Sequence, residues 1–356
     1  MGQDMGAIRG YLDSDCCVQP DGYTEYLSFY ALADESKGFG NLGIDLDGEP
    51  DGRLVDGGAG AMNTHMAAAL DPAAFLVIGL SLTENEAEDV APGALQRIAD
   101  GAYDAEIDRL SQLFSVIDNP VLLRIGYEFE GVWNVGYENS PAYRAAYRRI
   151  AERVRAARGD QVQFVWQTSA SPIDDVIDGR RDTIEDWYPG DDVVDWMGLS
   201  WFLTLDENAP AQPEPVTTQR SLIDEMMAFA DARDKPVLIA EASPQGFDLA
   251  NGTNRHIVGL WDGPSGEGRV EMSGDAIWDA WFQPLFDYME AHPRIQGLAY
   301  INQNWDGQDR WGAPYTEGYW GDTRIEVNDT IIVRWNEAIT AWKAPTDTMT
   351  DTGSTE

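Results

Sequence analysis

The sequence has few basic residues, and lysine is the scarcest of them. Of 356 residues only 24 are lysine or arginine, against 62 aspartate and glutamate, which gives a net charge of −38. Three of the basic residues are lysine: Lys37, Lys235 and Lys343. A nucleic-acid partner is disfavoured, because phosphate binding needs a basic surface. We expect instead an acidic surface suited to concentrated salt, which screens charge beyond about 3 Å at 1 M, and an origin in a halophilic archaeon.

Cysteine, histidine and long apolar runs are also scarce. The only two cysteines, Cys16 and Cys17, are adjacent, so the sequence predicts no disulfide framework. The three histidines lack ligand spacing, and residues 45–52 lack a calcium-loop register, so we expect no metal and no cofactor. No apolar run reaches the roughly 18 residues that span a bilayer, and no leader is visible. Export to the cell surface or medium would therefore need a leader outside this sequence.

Apolar, β-rich segments alternate with amphipathic helical segments along the chain. Such alternation is typical of a parallel sheet, and eight strands would close a barrel. The eight candidate strands are residues 2–4, 26–33, 74–82, 120–128, 162–169, 193–202, 236–243 and 295–305. The candidate helices are residues 104–117, 142–157 and 219–233. The sequence therefore predicts a single (β/α)8 TIM barrel over residues 1–344 and a disordered polar tail over residues 345–356.

Arginines cover one face of the predicted helix at residues 142–157. They lie opposite an apolar stripe that would face the sheet. We interpret this face as the solvated side of an outer barrel helix rather than as a binding patch.

Two glutamates end two of the predicted strands. Glu128 follows the run PVLLRIGY, and Glu241 follows PVLIA; by our count these are strands four and seven. Chemistry in a barrel of this kind is located at the carboxyl ends of the strands. A pair of carboxylates there suits glycosidic-bond cleavage, with retention at a separation of about 5 Å and inversion at about 6.5–9.5 Å.

Strand alternation predicts what lies beside each glutamate. Arg124, Gly126 and Glu128 should share one face of their strand, and residues 237, 239 and 241 should share one face of theirs. Arg124 would then lie below a carboxylate and could hold it in place.

The segment RIGYEFEGVW (124–133) resembles the acid/base motif of glycoside hydrolase family 26, of clan A, which reads R-x-x-H-E-M-N-G-x-W. FVWQTSAS (164–171), YPGDDVVDWMGLSWF (188–202) and KPVLIAEAS (235–243) are similar to further segments of that family, in the same order. The resemblance implies a retaining enzyme in which Glu128 is the general acid/base and Glu241 is the nucleophile.

Four residues depart from the family pattern. Tyr127 replaces a histidine, Glu130 an asparagine, Ser200 an aspartate, and Phe202 a tyrosine that bonds the nucleophile in the family. Tyr127 could supply the missing hydroxyl from the other side. Since these positions line the subsite of the cleaved sugar, mannan specificity does not carry over.

Aromatic and polar side chains at strand ends are candidates for sugar binding, because the apolar faces of sugar rings stack on indoles. For each tryptophan a core role is as compatible with the sequence as a sugar-binding role, although the resemblance favours a position for Trp305 beneath the cleaved sugar. The predicted substrate-binding residues are Arg124, Tyr127, Trp133, Trp166, Trp201, Phe202, Asn304 and Trp305.

The function that the sequence predicts is retaining hydrolysis of a β-linked polysaccharide of the mannan, xylan or glucan type. We expect an endo-acting, monomeric enzyme at or outside the cell surface. Two alternatives remain open: a barrel that binds glycans without cleaving them, suggested by Tyr127 and Phe202, and a cell-surface transglycosylase of the same clan.

Overall fold

The structure is a computed structural model, and it describes most of the chain. The described residues are 1–28, 61–82, 93–131, 133–134, 136–137, 139–171, 183–204, 218–255, 269–308 and 320–344. The acidic segment at 45–52, residues 29–33 of one predicted strand and the predicted tail at 345–356 lie outside the described residues.

Seven parallel strands form the main sheet, and three short antiparallel strands form a second sheet beside it. The main sheet has the order β1-β2-β3-β4-β5-β6-β10, and the small one has the order β7-β8-β9. The strands are β1 Gly22–Ser28, β2 Phe75–Ser81, β3 Val121–Ile125, β4 Val162–Thr168, β5 Trp196–Trp201, β6 Val237–Ala242, β7 Phe247–Asp248, β8 Thr253–Arg255, β9 Arg269–Glu271 and β10 Ile295–Tyr300. Each strand of the main sheet lies within a predicted segment except β1, which begins four residues earlier than expected.

Helices connect the strands and cover the outside of the main sheet. They are α1 Met5–Asp13, α2 Ala61–Leu70, α3 Ala94–Ala99, α4 Asp104–Ser115, α5 Ser140–Arg158, α6 Ile184–Trp187, α7 Gln219–Ala232, α8 Gly274–Ile277, α9 Gln283–Ala291 and α10 Asp329–Lys343. A π-helical turn, Trp278–Phe282, joins α8 to α9. The three predicted helices correspond to α4, α5 and α7, with ends shifted by two residues or fewer.

The first two residues of the chain lie between the last strand and the first. Gly2 N donates to Tyr300 O in β10 over 3.0 Å, and Thr24 N in β1 donates to Met1 O over 3.1 Å. These residues occupy the position of an eighth strand, at the point where the sequence predicted one. The predicted (β/α)8 barrel is confirmed. When the first two residues are counted as its first strand, β3 and β6 are the fourth and seventh.

The arginines of α5 pair with aspartates on neighbouring elements. Arg149 and Arg153 bond Asp104 of α4, at 2.7 and 3.2 Å. Arg148 and Arg155 bond aspartates in the segment that leads into β5. This face is therefore a solvated, ion-paired helix surface, as the sequence predicts.

Two apolar layers lie on the two faces of the main sheet. A small layer fills the barrel interior with Val77, Leu122, Val165, Leu238 and Ala240. A much larger one lies between the strands and the helices. This separation shows which way each strand residue faces.

Cys16 and Cys17 are both free cysteines and are partly buried. Among the described residues, no helix has the length and apolar character that crossing a membrane requires.

Candidate active site

The chain leaves β3 at Ile125 and turns sharply into the loop that carries Glu128. Gly126 and Glu128 both have left-handed backbones, with φ of 54° and 53°. A Cβ at Gly126 would lie 2.8 Å from the ring of Tyr143, whose hydroxyl donates to Gly126 O over 2.9 Å. Strand alternation therefore stops before Glu128. The predicted common strand face of Arg124, Gly126 and Glu128 is wrong, because Gly126 and Glu128 lie beyond the end of β3.

Side-chain and backbone hydrogen bonds close this loop on itself. Asn134 Nδ2 donates to Glu128 O over 2.8 Å and to Tyr127 O over 3.2 Å. Gly131 N donates to Glu128 O over 2.8 Å. Asn134 was not among the predicted site residues; an amide six residues after a catalytic glutamate is a weak signal in a sequence.

Glu130, a departure from the family motif, anchors the same loop to the end of β4. Its Oε1 accepts from the hydroxyl of Thr168, from Ser169 N at 2.8 Å and Oγ at 3.1 Å, and from Ala170 N at 3.2 Å. The side chain is buried. Because a carboxylate accepts without donating, Glu130 suits this cluster of donors.

Trp133 folds back over Gly131 onto Glu128. Its Nε1 donates to Glu128 Oε2 over 2.8 Å. A Cβ on Gly131 would lie 2.7 Å from Trp133 Cε2, so only glycine leaves room for the indole. The spacing Glu-x-x-Gly-x-Trp in the sequence thus has a steric reason.

Glu241 reaches the barrel interior through an irregularity in β6. Leu199 of β5 pairs with Ile239, but the next residue, Ser200, pairs with Glu241, so Ala240 is an extra residue in the register. The pairing register between β6 and β10 also shifts at this level of the sheet, beyond Ile239. A β-bulge of this kind redirects the side chains that follow it.

The bulge overturns the expected alternation along β6. Val237 and Ile239 lie in the helix-side layer, whereas Glu241 contacts Arg124 inside the barrel. The prediction of one common face for these three residues is wrong, because strict alternation holds only where the ladder is regular.

Arg124 holds Glu241 from the floor of the barrel mouth. Arg124 Nη1 donates to Glu241 Oε1 over 2.5 Å and to Gln167 Oε1 over 2.8 Å, and the residue is fully buried. Its guanidinium carbon lies 4.9 Å from the ring centre of Tyr26 and 5.0 Å from that of Tyr127. Glu241 is thus held by an arginine that lies between two aromatic rings, while position 202 carries a phenylalanine, which has no hydroxyl to donate.

A hydrogen-bonded chain connects Arg124 to Glu128. Gln167 Nε2 donates to Ser200 Oγ over 3.0 Å, and Ser200 Oγ donates to Glu128 Oε1 over 2.7 Å. All of these side chains are buried. Gln167 was missed by the sequence analysis, although its position on β4, two residues after the interior Val165, would have placed it on the interior face.

Burial raises the pKa of Glu128 well above its usual range, and the nearby negative charge of Glu241 raises it further. The hydrogen bonds from Ser200 and Trp133 act in the opposite direction because they favour the ionised form. A carboxyl group with a raised pKa beside a second carboxylate is the arrangement that general acid catalysis needs.

Trp166 and Trp201 lie in the helix-side core. Trp166 stacks on Phe129 with ring centres 4.5 Å apart, and Trp201 meets Tyr288 of α9 edge to face at 5.4 Å. Both indoles are at most 1% exposed. Their strand neighbours Gln167 and Ser200 face the interior, so alternation directs both tryptophans outward.

Trp305 and Phe202 belong to an aromatic cluster beyond the ends of β5 and β10. Trp305 is buried, stacks on Trp320 at 4.6 Å, and donates from Nε1 to Thr323 Oγ1 over 3.0 Å. Phe202, which is half-buried, meets Trp320 edge to face at 5.2 Å. Asn304 precedes Trp305, and its Oδ1 accepts from Gly307 N over 3.1 Å.

The structure therefore brings together Arg124, Tyr127, Glu128, Trp133 and Glu241 among the predicted residues. Within the described parts of the chain, no group of three or more histidine, cysteine, aspartate or glutamate side chains is arranged to hold a metal ion.

Comparison with known proteins finds similarity to glycoside hydrolases. Residues 75–240 match the family described as Glycosyl hydrolase family 26. A β-1,3-xylanase of Alcaligenes sp. is 33% identical over 341 residues, which are 95% of this chain and 62% of that protein. The β-1,3-xylanase TXYA of Vibrio sp. is also 33% identical over 341 residues, 95% of this chain and 64% of that protein. The chain thus spans less than two thirds of the length of either relative.

Among solved structures, the fold is similar to that of a modular endo-β-1,4-mannanase from Cellulomonas fimi. The TM-score is 0.50 at 13% identity, over 97% of this chain and 75% of that one. At this identity the likeness shows the fold alone. Residues 75–240, the part of the chain that matches glycosyl hydrolase family 26, hold Glu128 and the strands carrying Arg124, Gln167 and Ser200.

Proposed function

We propose that this protein is a retaining glycoside hydrolase that cleaves β-1,3-linked xylan within the chain. The observation that carries the reaction class is the carboxylate pair: Glu241 is bonded to Arg124, and the pKa of Glu128 is raised by burial and by Glu241. The xylan assignment rests on the two β-1,3-xylanases that match 95% of this chain. The departures at Tyr127, Ser200 and Phe202 agree with a sugar other than mannose.

In the first step, Glu241 attacks the anomeric carbon while protonated Glu128 gives its proton to the departing glycosidic oxygen. The bond from the anomeric carbon to that oxygen breaks as the bond to the Glu241 carboxylate forms. In the second step, Glu128 removes a proton from water, the water oxygen attacks the anomeric carbon, and Glu241 is released. The sugar keeps its β-configuration.

Arg124 holds the Glu241 carboxylate in place through a charged hydrogen bond. Its guanidinium is fully buried, so its attraction for the carboxylate is little screened by water. Trp133 and Ser200 hold the two oxygens of Glu128. The roles of nucleophile and acid/base are thereby assigned to different carboxylates by their different surroundings.

The sugar-binding residues that we propose are Tyr127 and Trp133 beside this pair, together with Phe202, Asn304 and Trp305 in and beside the aromatic cluster. Trp166 and Trp201 support the site from the core, since their rings are covered by Phe129 and Tyr288. A polysaccharide is too large and polar to cross a membrane, so we propose that the enzyme acts outside the cell. We further propose that it acts as a monomer and needs no cofactor. The charge of −38 suits a surface adapted to high salt.

The test is a panel of β-1,3-xylan, β-1,4-xylan, β-1,4-mannan and β-1,3-glucan in concentrated salt. We expect release of oligosaccharides from β-1,3-xylan, with proton NMR showing the β-anomer as the first product. Glu128→Gln should lower the rate by about 10²–10⁴-fold, and Glu241→Gln by at least as much.

Other outcomes would redirect the proposal. Binding to a polysaccharide without product release would favour the glycan-binding barrel, and longer chains instead of new reducing ends would favour the transglycosylase. The α-anomer as first product would contradict retention. Asp108→Asn, on the outer face of α4, serves as the control carboxylate.

A further inference from the structure

The hydrogen-bonded chain from Arg124 to Glu128 has one possible direction. An arginine side chain only donates, so Gln167 must turn its carbonyl oxygen to Arg124 and its amide nitrogen to Ser200. Ser200 Oγ then accepts from Gln167, and its single hydroxyl proton is left for Glu128 Oε1, 2.7 Å away.

The other oxygen of Glu128 is held by a second donor. Trp133 Nε1 lies 2.8 Å from Glu128 Oε2, and an indole nitrogen can only donate. Each oxygen of Glu128 therefore accepts one hydrogen bond: Oε1 from Ser200 of β5, and Oε2 from Trp133 of the loop. Together these contacts fix the plane of the carboxyl group and leave its remaining lone pairs to carry the catalytic proton.

We propose that Gln167 and Ser200 are positioning residues for the acid/base Glu128, coupling its orientation to Arg124 and so to Glu241. Neither residue touches the reacting atoms in this scheme. In the sequence, Ser200 is marked only by its departure from the family aspartate, and no motif marks Gln167. This inference rests on the proposed function for its catalytic consequence, but its electrostatic consequence holds without turnover.

Ser200 and the aspartate of the family pattern differ in their electrostatic effect on Glu128. A second carboxylate at 2.7 Å from Glu128 would add a like charge, whereas a serine hydroxyl adds a donor. The other titratable groups that face Glu128 in the described structure are Glu241 on β6, Glu130 on the same loop and Tyr26 on β1.

The test compares substitutions that remove the Ser200 hydroxyl, keep it, or redirect its hydrogen bond away from Glu128. Ser200→Ala removes the hydroxyl, and we expect kcat to fall about tenfold or more with little change in KM, because a hydrogen bond to a charged group is lost. The alkaline limb of the pH profile should move up by about one pH unit. Ser200→Thr keeps a hydroxyl and should restore both values toward the wild type.

Gln167→Glu keeps the size of the side chain but removes its donor. Ser200 would then donate to the new carboxylate, leaving Glu128 Oε1 without a proton donor, so the alkaline limb should again move upward. Gln163→Glu is the matched control: it is the same substitution at the other end of β4, on an exposed side chain. It should leave the profile unchanged.

A readout without turnover separates this inference from the proposed function. NMR of protein labelled with ¹³C-glutamate should show the Glu128 carboxyl, identified by its loss in Glu128→Gln, titrating at higher pH in Ser200→Ala than in the wild type. An unchanged titration in folded Ser200→Ala and Gln167→Glu would overturn the inference, whatever the activity. Absence of hydrolysis by the wild type with a shifted titration would overturn only the proposed function.

Discussion

Arg124 and Glu241 form a buried ion pair that crosses the mouth of the barrel, with Nη1 and Oε1 2.5 Å apart. The guanidinium also bonds Gln167, so one residue contacts both the proposed nucleophile and the chain that leads to the proposed acid/base. Two tyrosine rings hold it in this position.

Arg124→Lys should reduce kcat by about 100-fold or more, since an ammonium cannot bond Glu241 and Gln167 with the fixed geometry of a guanidinium. Kinetics on the cleaved polysaccharide, with thermal unfolding measured in parallel, check this. Arg153→Lys, an exposed arginine on α5, is the control and should keep wild-type activity. Near-normal kcat in folded Arg124→Lys would contradict the role of the ion pair.

Two substitutions of Glu130 should separate the effect of its side-chain length on stability from the effect of its charge. Glu130→Asn introduces the residue typical of the family but shortens the side chain by one methylene, so Oδ1 cannot reach the donors of Ser169 and Ala170. We expect a loss of about 1–3 kcal/mol in the free energy of unfolding, from buried donors left unpaired. Glu130→Gln keeps the length and should lose less. Chemical denaturation of the two variants measures the difference, and equal stability would argue against the anchor.

Gly131→Ala tests the fold of Trp133 over the loop. A methyl group 2.7 Å from Cε2 would push the indole away and break its bond to Glu128. Because that bond lowers the pKa of Glu128, its loss should raise the pKa, move the alkaline limb of the pH profile upward and lower kcat several-fold. Trp133→Phe removes the donor without adding a methyl group and should shift the limb in the same direction. A limb unmoved in both variants would refute this contact.

Glu25 on β1 predicts a pH-dependent stability effect away from the site. Burial, and then the charge of Asp4, raise its pKa well above the usual range, and in the described structure neither carboxylate oxygen has a hydrogen-bond partner. A raised pKa means that the folded protein prefers the protonated acid, so stability is lost as pH rises above about 4.3, the unfolded value.

Glu25→Gln should therefore stabilise the protein at pH 7 by about 1–3 kcal/mol, with little difference near about pH 3, where the acid is protonated in both states. Urea denaturation at the two pH values measures this. Glu271→Gln, on the exposed side of β9, is the control. Destabilisation at pH 7 would show that the ionised form of Glu25 is bound by a favourable contact.

The surface charge predicts a salt requirement. At −38, self-repulsion should destabilise the protein at low salt, and raising KCl from 0.1 to 2 M should raise the unfolding midpoint as the screening length falls from about 10 Å to about 3 Å or less. Calorimetry over this range checks the expectation, with sucrose as a control for solute effects without charge. A midpoint that falls with KCl would contradict it.

Periodicity was sufficient to predict most of the barrel. The apolar runs gave the strands of the main sheet, and the spacing of residues such as Leu110, Phe114 and Ile107 gave α4, because both patterns reflect which face must be buried. The boundaries were less certain where a polar residue lies in the core, as in β1 with Glu25. Two glutamates at strand ends could likewise be recognised from local sequence alone.

What these glutamates contact was decided by the tertiary structure. The bulge at Ala240 turns Glu241 to the inside, and no local pattern marks where a ladder gains a residue. The chain from Arg124 through Gln167 and Ser200 joins three strands that are far apart in the sequence, so its members look like unrelated polar residues until the sheet brings them together. Sequence determined that two carboxylates meet at the barrel mouth, through strand order and length; only the packed barrel set which one is bonded to Arg124 and which one has its pKa raised by burial.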